Sequence, residues 1–135
     1  MLHEIRALLN WRMNDYVSIW SSTGYKNYEF TISNNVDQIP YLPVFDFDFT
    51  IRALLGYGIE LMLNGQYIDE RFTSQFKDND VLDSYFIGSL SVSKKIGENV
   101  EIYGQLNNLL NTDYEIWKGY IEPQFNGWGG IKVFW

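Results

Sequence analysis

The sequence predicts an all-β protein: an antiparallel, up-and-down transmembrane β-barrel segment of about seven long strands. Three observations support this prediction. Apolar and polar residues alternate over long stretches, short and long connections follow each other in turn, and aromatic residues make up 18% of the chain. The 135 residues allow one domain, so the whole of 1–135 is read as a single part of a barrel.

Alternation is clearest in residues 45–55. There Phe45, Phe47 and Phe49 alternate with Asp46 and Asp48, and the pattern continues to the end of the segment. A period of two places the rings on one face of a strand and the charges on the other, whereas a helix would scatter the charges around its axis. This segment is therefore predicted to be a strand.

The same alternation recurs elsewhere in the chain. It runs through residues 4–13, 59–68, 85–93 and 100–107, and a weaker strand is expected near 16–28. Most of these segments approach the roughly 9–11 residues that a transmembrane strand needs, while strands of globular proteins usually have about 5–6. The lengths favour strands that cross a membrane.

The connections separate into two kinds. Tight turns rich in Gly, Asn and Asp, which tolerate the positive φ of hairpin turns, alternate with long connections. Membrane barrels show this arrangement, with short periplasmic turns and long outer loops. The tight turns are Asn14-Asp15, 56–58 and 97–99, and the long connections are 29–42, 69–84 and 108–125.

Charge and composition exclude several classes of function. The net charge is −7, which disfavours a nucleic-acid partner because phosphate binding needs a basic surface. There is no Cys and the one His is His3, so neither a catalytic triad nor a His or Cys metal cluster is expected. Asp78-Asn79-Asp80 lacks the Gly and distal Glu of a calcium loop and is interpreted as a solvated loop. The sequence predicts neither an enzyme nor a cofactor.

The polar faces of the strands would point toward the barrel lumen. Two interpretations remain open: a solute path in which Asp46, Asp48 and Arg52 are charged contacts, or a hydrated wall on which charges cost little. The candidate lumen-facing residues are Asp46, Asp48, Arg52, Glu60, Gln66, Glu101 and Gln105.

The end of the chain predicts a last strand with Ile131, Val133 and Trp135 on one face and Lys132 on the other. Outer-membrane barrels typically finish on an aromatic residue that the barrel assembly machinery recognises. These three apolar residues are therefore the candidate assembly signal, and an ordinary strand that happens to end there is the alternative.

Two further hypotheses are a soluble β-barrel that binds a small apolar ligand and a small membrane barrel with a structural role. In a soluble protein the aromatic faces would need a second apolar layer, and the pattern predicts no helix to provide one. Solubility without detergent would favour the soluble barrel.

From Ile39 onward the chain resembles the C-terminal barrel of TonB-dependent outer-membrane receptors. The most specific part is Asn108-Leu109-Leu110-Asn111-Thr112-Asp113-Tyr114-Glu115, which resembles the family motif Asn-Leu-Phe-Asp/Asn-x-x-Tyr-Glu. A Gly-Tyr-x-x-Pro turn is matched at 119–123, and 39–43 resembles the segment that leads into a strand. Leu110 in place of Phe, Gln124 in place of Gly-Arg, and the terminal Trp depart from the family pattern.

The resemblance implies energy-coupled uptake of a scarce ligand such as a siderophore–iron complex, cobalamin or a glycan, across the outer membrane of a Gram-negative bacterium. Its partners would be outer-membrane lipid, the barrel assembly machinery, an unknown small-molecule ligand, and TonB through an N-terminal region absent from these residues. The family barrel has 22 strands and a plug, so this chain is expected to be a fragment. Trp117 and Tyr120 are the candidate ligand contacts in an outer loop.

Overall fold

The computed structural model describes residues 2–28, 39–74 and 81–135, and these residues form strands, turns and irregular segments. Within those ranges there is no helix long and apolar enough to cross a membrane. The strands are β1 (Leu2–Arg12), β2 (Val17–Tyr28), β3 (Phe45–Leu55), β4 (Ile59–Ile68), β5 (Arg71–Phe72), β6 (Val81–Leu82), β7 (Tyr85–Ile96), β8 (Val100–Asn107), β9 (Glu115–Trp117), β10 (Tyr120–Ile121) and β11 (Asn126–Val133).

Seven long strands form one sheet in the order β1-β2-β3-β4-β7-β8-β11. Each long strand pairs antiparallel with the next long strand along the chain. The short strands form two separate pairs, β5 with β6 and β9 with β10, which lie within the long connections. The predicted up-and-down order of seven strands is confirmed.

The sheet has two different ends, which we call the short-turn end and the long-loop end. At the short-turn end, Gly58 and Gly97 adopt positive φ angles of 72° and 64°. In the β1–β2 turn the Asn14 side-chain oxygen accepts hydrogen bonds from the backbone N–H groups of Tyr16 and Val17, both at 2.8 Å. The described parts of the long connections, residues 39–44, 69–74, 81–84 and 108–125, lie at the other end.

The register gives the sheet one polar face and one apolar face. Asp48 lies opposite Gln66 in the β3–β4 ladder, while the next residue, Phe49, lies opposite Gly65. Because side chains alternate along each strand, this register carries the two faces across the sheet. The apolar face includes Ile5, Leu9, Ile19, Phe45, Phe47, Phe49, Ile51, Leu63, Phe86, Val92, Ile102, Leu106, Ile131 and Val133.

No second layer covers the apolar face in the described part of the chain. Leu82 and Tyr85 are the only buried hydrophobic residues among the described ones, and both lie near the long-loop end. On the apolar face Ile5 is 73% exposed and Ile131 65%. The described residues therefore form a single-layer sheet and lack the core of a soluble domain.

The last strand differs from the expectation at its end. Ile131 and Val133 lie on the apolar face and Lys132 on the polar face, as predicted. However, β11 ends at Val133, and Trp135 lies two residues beyond it. The chain is held there by Phe134, whose N–H donates to the Asn99 carbonyl at 2.8 Å and whose carbonyl accepts from the Asn99 side chain at 2.8 Å.

An aromatic ring covers a glycine in the middle of the apolar face. The Phe49 ring lies over Gly65, where a Cβ atom would stand, and stacks on Phe86 with centroids 6.4 Å apart. Aromatic cover of this kind compensates for the packing that a glycine cannot provide within a strand.

Replacing Gly65 by Ala should destabilise the sheet by about 1–3 kcal/mol, because the new methyl group displaces the Phe49 ring. Urea-induced unfolding of the native protein in detergent micelles measures this change. Gly56→Ala is the matched control, since a Cβ there meets nothing within 4 Å. Equal unfolding midpoints for the two variants would contradict the proposed packing.

Candidate functional site

A network of polar side chains crosses the middle of the polar face. The Thr50 hydroxyl donates to the Asn64 side-chain oxygen at 2.8 Å, and the Asn64 amide donates to the Ser89 hydroxyl at 3.4 Å. One step closer to the long-loop end, the Gln66 amide donates to Asp48 at 3.0 Å. These bonds join β3, β4 and β7 through their side chains.

An ion cluster lies on the polar face near the long-loop end. Asp46, which is 6% exposed, accepts from the Lys26 ammonium at 2.6 Å and from Arg6 Nη2 at 3.3 Å. Arg6 Nη1 also lies 3.1 Å from Asp46 Oδ2, although without hydrogen-bond geometry. Gly24 of β2 lies between Arg6 of β1 and Asp46 of β3 in the strand register, and a Cβ atom there would come 2.6 Å from the Asp46 carboxylate. The missing side chain lets Arg6 reach across β2.

Two further ion pairs lie toward the short-turn end of the same face. Arg52 forms a two-pronged contact with Glu60, with Nε to Oε1 at 2.9 Å and Nη2 to Oε2 at 2.7 Å. Lys132 donates to Glu101 at 3.0 Å. In the first pair, the two parallel bonds fix the geometry of both the Arg52 guanidinium and the Glu60 carboxylate. Most charges of the polar face are therefore neutralised by neighbours in the sheet.

The seven candidate lumen-facing residues share this face. The structure brings together Asp48 with Gln66 and Arg52 with Glu60, while the Gln105 amide donates to Asn107 at 2.6 Å. Asp48 is the one candidate acid that has no ion pair with another described residue. That this face lines a lumen stays a prediction, but the pairing of Asp46 and Arg52 favours a hydrated wall over a path of free charges.

Beside Asp48 the polar face carries a cavity of about 580 Å³. The 108–125 connection forms its upper wall. Polar groups of the sheet and of this connection line it, among them Asp48, Asn64, Gln66, Asn107, Tyr114 and Glu122.

Asn108 organises the 108–125 connection. It is buried, adopts a positive φ of 49°, and donates from its side chain to the carbonyls of Thr112 at 2.8 Å and Pro123 at 3.3 Å. Its side-chain oxygen accepts from the Thr112 N–H at 2.9 Å. Asn111, also at positive φ, accepts from the Phe125 N–H at 2.9 Å. The two Asn residues of the motif therefore close the connection onto itself.

Tyr114 of the same motif faces Tyr85, the first residue of β7. Their ring centroids are 4.6 Å apart. Burial raises the pKa of the Tyr114 hydroxyl above its ordinary value, and the nearby Glu122 carboxylate adds to this shift. Tyrosine is already neutral at physiological pH, and the ring contact with Tyr85 makes Tyr114 a packing residue.

The candidate ligand contacts, Trp117 and Tyr120, lie opposite each other in the β9–β10 hairpin. The Trp117 ring packs against the Tyr41 ring with centroids 4.6 Å apart and planes tilted by 49°; Trp117 remains 56% exposed and Tyr120 is 72% exposed. The sequence predicts a long outer loop around both residues, and within that connection the structure forms a short two-stranded hairpin at the long-loop end.

Other predicted features give no additional site. Asp78-Asn79-Asp80 lies outside the described residues. Elsewhere, in residues 2–28, 39–74 and 81–135, no cluster of His, Asp and Glu could hold a metal ion.

Three site residues, Lys26, Arg6 and Arg71, are not indicated by the sequence pattern. Lys26 and Arg6 stand on strands whose register with Asp46 depends on two hairpins, and Arg71 lies in a long connection where alternation is absent. Lys26 is the only charged residue of β2, and that isolated charge is the one signal that could have indicated a partner.

No family model matches the sequence, and no curated protein matches it. Solved structures match its fold. The siderophore receptor PiuA from Acinetobacter baumannii aligns over 98% of this chain with a TM-score of 0.79 and 15% identity. The ferric yersiniabactin uptake receptor FyuA from Yersinia pestis aligns over 99% of this chain with a TM-score of 0.81 and 16% identity. The copper transporter OprC aligns over 96% with a TM-score of 0.75 and 14% identity.

These matches confirm the predicted fold class and its resemblance to the barrels of TonB-dependent receptors. The chain spans 22% of the PiuA structure and 23% of each of the other two. At this level of identity the likeness shows the fold, and the function of the whole protein requires a separate argument.

Asp46→Asn should lower the free energy of unfolding by about 1–3 kcal/mol, because it removes the hydrogen-bonded counter-charge of the Lys26 ammonium, whose side chain is only 11% exposed. Urea-induced unfolding in micelles measures the loss. Asp15→Asn is the control: its pair with Arg12 is largely exposed, so its removal should cost less than about 0.5 kcal/mol. Similar losses for both variants would show that the Asp46 cluster is not stabilising.

Asn108→Gly keeps the positive φ but removes the three side-chain bonds, so the 108–125 connection should open while the sheet stays folded. Hydrogen exchange at the Thr112 amide should then accelerate by about tenfold or more. Leu110→Ala, at an exposed neighbouring position, is the control. Unchanged protection of Thr112 in Asn108→Gly would contradict this role.

Proposed function

We propose that this chain is part of the transmembrane barrel of a TonB-dependent transporter in the outer membrane of a Gram-negative bacterium. One observation carries the proposal: a single-layer sheet of long strands whose apolar face is exposed and whose polar face is internally paired. A wall between lipid and water needs these two faces, because lipid accepts apolar side chains and charges facing water cost little.

The apolar face supports lipid as the first partner. Its side chains would lie in hydrocarbon, where exposure of Ile5 and Ile131 costs nothing. The polar face would then point to the barrel interior, with Asp46, Asp48, Arg52, Glu60, Gln66, Glu101 and Gln105 on its wall. A soluble barrel with its aromatic faces around a ligand is disfavoured, since the described strands leave that face open.

The ends of the sheet support an orientation. Short turns lie on the periplasmic side of outer-membrane barrels and long loops on the outside. The β9–β10 hairpin with Trp117 and Tyr120 would therefore face the medium. Ile131, Val133 and Trp135 would lie at the periplasmic side, where the assembly machinery would recognise them.

The cargo we propose is a metal bound to a siderophore. The structural neighbours support this class, because four of them are siderophore, ferric yersiniabactin, ferric-catecholate or ferric enterobactin receptors. A fifth, a copper transporter, supports a metal cargo only. Cobalamin or a glycan is the alternative cargo. Transport rather than catalysis is the role, and TonB would act through a region outside this chain.

A topology experiment tests the orientation. In the native protein, Trp117→Cys should react with a membrane-impermeant maleimide in intact cells, because position 117 would lie outside. Glu98→Cys, in a short turn, should react only after the outer membrane is permeabilised. Labelling of position 98 but not 117 in intact cells would show the opposite topology and contradict the proposed orientation.

An uptake experiment tests the cargo. Iron-starved cells that carry the native protein as their sole siderophore receptor should accumulate radiolabelled iron from ferric enterobactin or ferric yersiniabactin, and cells without TonB should not. Trp117→Ala should reduce the affinity for the transported complex by about tenfold. If neither complex is taken up, the siderophore proposal fails for these two chemistries and cobalamin becomes the next probe.

A further inference from the structure

Arg71 is a buried cation outside the seven-stranded sheet. Only 4% of it is exposed, and it lies in the short strand β5 at the long-loop end. Its guanidinium donates from Nη2 to the Glu115 carbonyl at 2.6 Å and from Nη1 to the Ile116 carbonyl at 3.4 Å, and it stands 5.1 Å from the centre of the Tyr85 ring. Its Nε has no hydrogen-bond partner among the described residues.

Burial of this cation is costly. Among the described residues no carboxylate forms a salt bridge with Arg71, and the guanidinium contacts there are two carbonyl dipoles and one ring face. An apolar side chain could fill the same volume without the desolvation penalty. What the guanidinium adds is a planar fork that holds two successive backbone carbonyls, which the single ammonium of Lys cannot reproduce.

The two carbonyls belong to β9, immediately before Trp117. Phe72, the neighbour of Arg71 in β5, bonds to the residue whose ring packs against Trp117: the Phe72 carbonyl accepts from the Tyr41 N–H at 2.7 Å. Tyr41 adopts a positive φ of 60° and places its ring 4.6 Å from that of Trp117. Two adjacent residues of β5 therefore bind the backbone on both sides of the ring pair: Arg71 binds the carbonyls before Trp117, and Phe72 binds the N–H of Tyr41.

We propose that Arg71 is a positioning residue that fixes the Trp117–Tyr41 ring pair as a preorganised surface for a flat, ring-bearing part of the ligand. The proposal rests on the transport function proposed above. Because Trp117 stays half exposed on a fixed support, the entropy cost of ordering it on binding is met in advance by the fold. An aromatic face of this kind stacks on planar rings and on apolar ring faces.

Arg71→Lys is the test, because it keeps the charge and most of the volume but loses the fork. Nitroxide labels at Ile121→Cys in β10 and Glu98→Cys in the opposite short turn report where the β9–β10 hairpin lies, and both positions are exposed. In the native protein the measured distance distribution between the labels should be narrow, and Arg71→Lys should broaden it. Arg12→Lys, at an exposed Arg of the short-turn end, is the matched control and should leave it narrow.

Uptake kinetics supply the second readout. With ferric enterobactin and ferric yersiniabactin as probes, Arg71→Lys should raise the half-saturation concentration of the transported complex by about 3–10-fold, with the maximal rate and the amount of folded barrel unchanged. A merely structural role would instead lower the amount of folded barrel in the membrane, and that result would overturn the proposal.

The failure of each idea can be distinguished. A narrow label distribution in Arg71→Lys overturns the positioning role, whatever the uptake. If the distribution broadens but Trp117→Ala does not alter uptake, the ring pair is not a ligand surface and the proposal also falls. Absence of uptake of both complexes counts against the proposed cargo, while the label distances still decide whether Arg71 holds the hairpin.

Discussion

Alternation of apolar and polar side chains, kept in one register across seven strands, is the constraint on which the rest of the structure depends. A slip of one residue in any ladder would exchange the faces of that strand. In β3 it would put Asp46 and Asp48 on the apolar face of the sheet, away from Lys26 and Gln66. The side-chain bonds that link neighbouring strands on the polar face therefore act as a check on the register.

The long-loop end depends on a different kind of interaction. Here the bonds run from side chain to backbone: Asn108 closes the 108–125 connection onto itself, and Arg71 joins this connection to β5. Among the described residues the only buried hydrophobic side chains here are Leu82 and Tyr85, so such bonds and the aromatic pairs provide much of the order of the described connections. The motif that resembles the receptor family is explained by this role: its two Asn residues satisfy backbone groups of the turn that leads into β11.

Much of the fold could be predicted from the sequence, and the reason is physical. Period-two alternation specifies both the strand and its face, so the assignment of Asp46, Asp48 and Arg52 to one face followed directly. The partners of these residues could not be predicted, because the Lys26–Asp46 contact depends on the register of hairpins whose long connection carries no pattern. The hairpin under Trp117 and Tyr120 was missed for the same reason: strands of two or three residues are too short to show alternation. The end of β11 before Trp135 depends on bonds from the Phe134 backbone to the carbonyl and the side chain of Asn99, which a residue pattern does not indicate.

The central claim is that one face of this sheet contacts lipid and the other faces water. A nitroxide scan along residues 45–55 in the native protein, reconstituted in bilayers, tests it most directly. Collision with oxygen, which concentrates in lipid, should peak at Phe45, Phe47, Phe49 and Ile51, while collision with a polar nickel chelate should peak at the residues between them. A profile without a period of two, or one with the oxygen maxima at Asp46 and Asp48, would contradict the account.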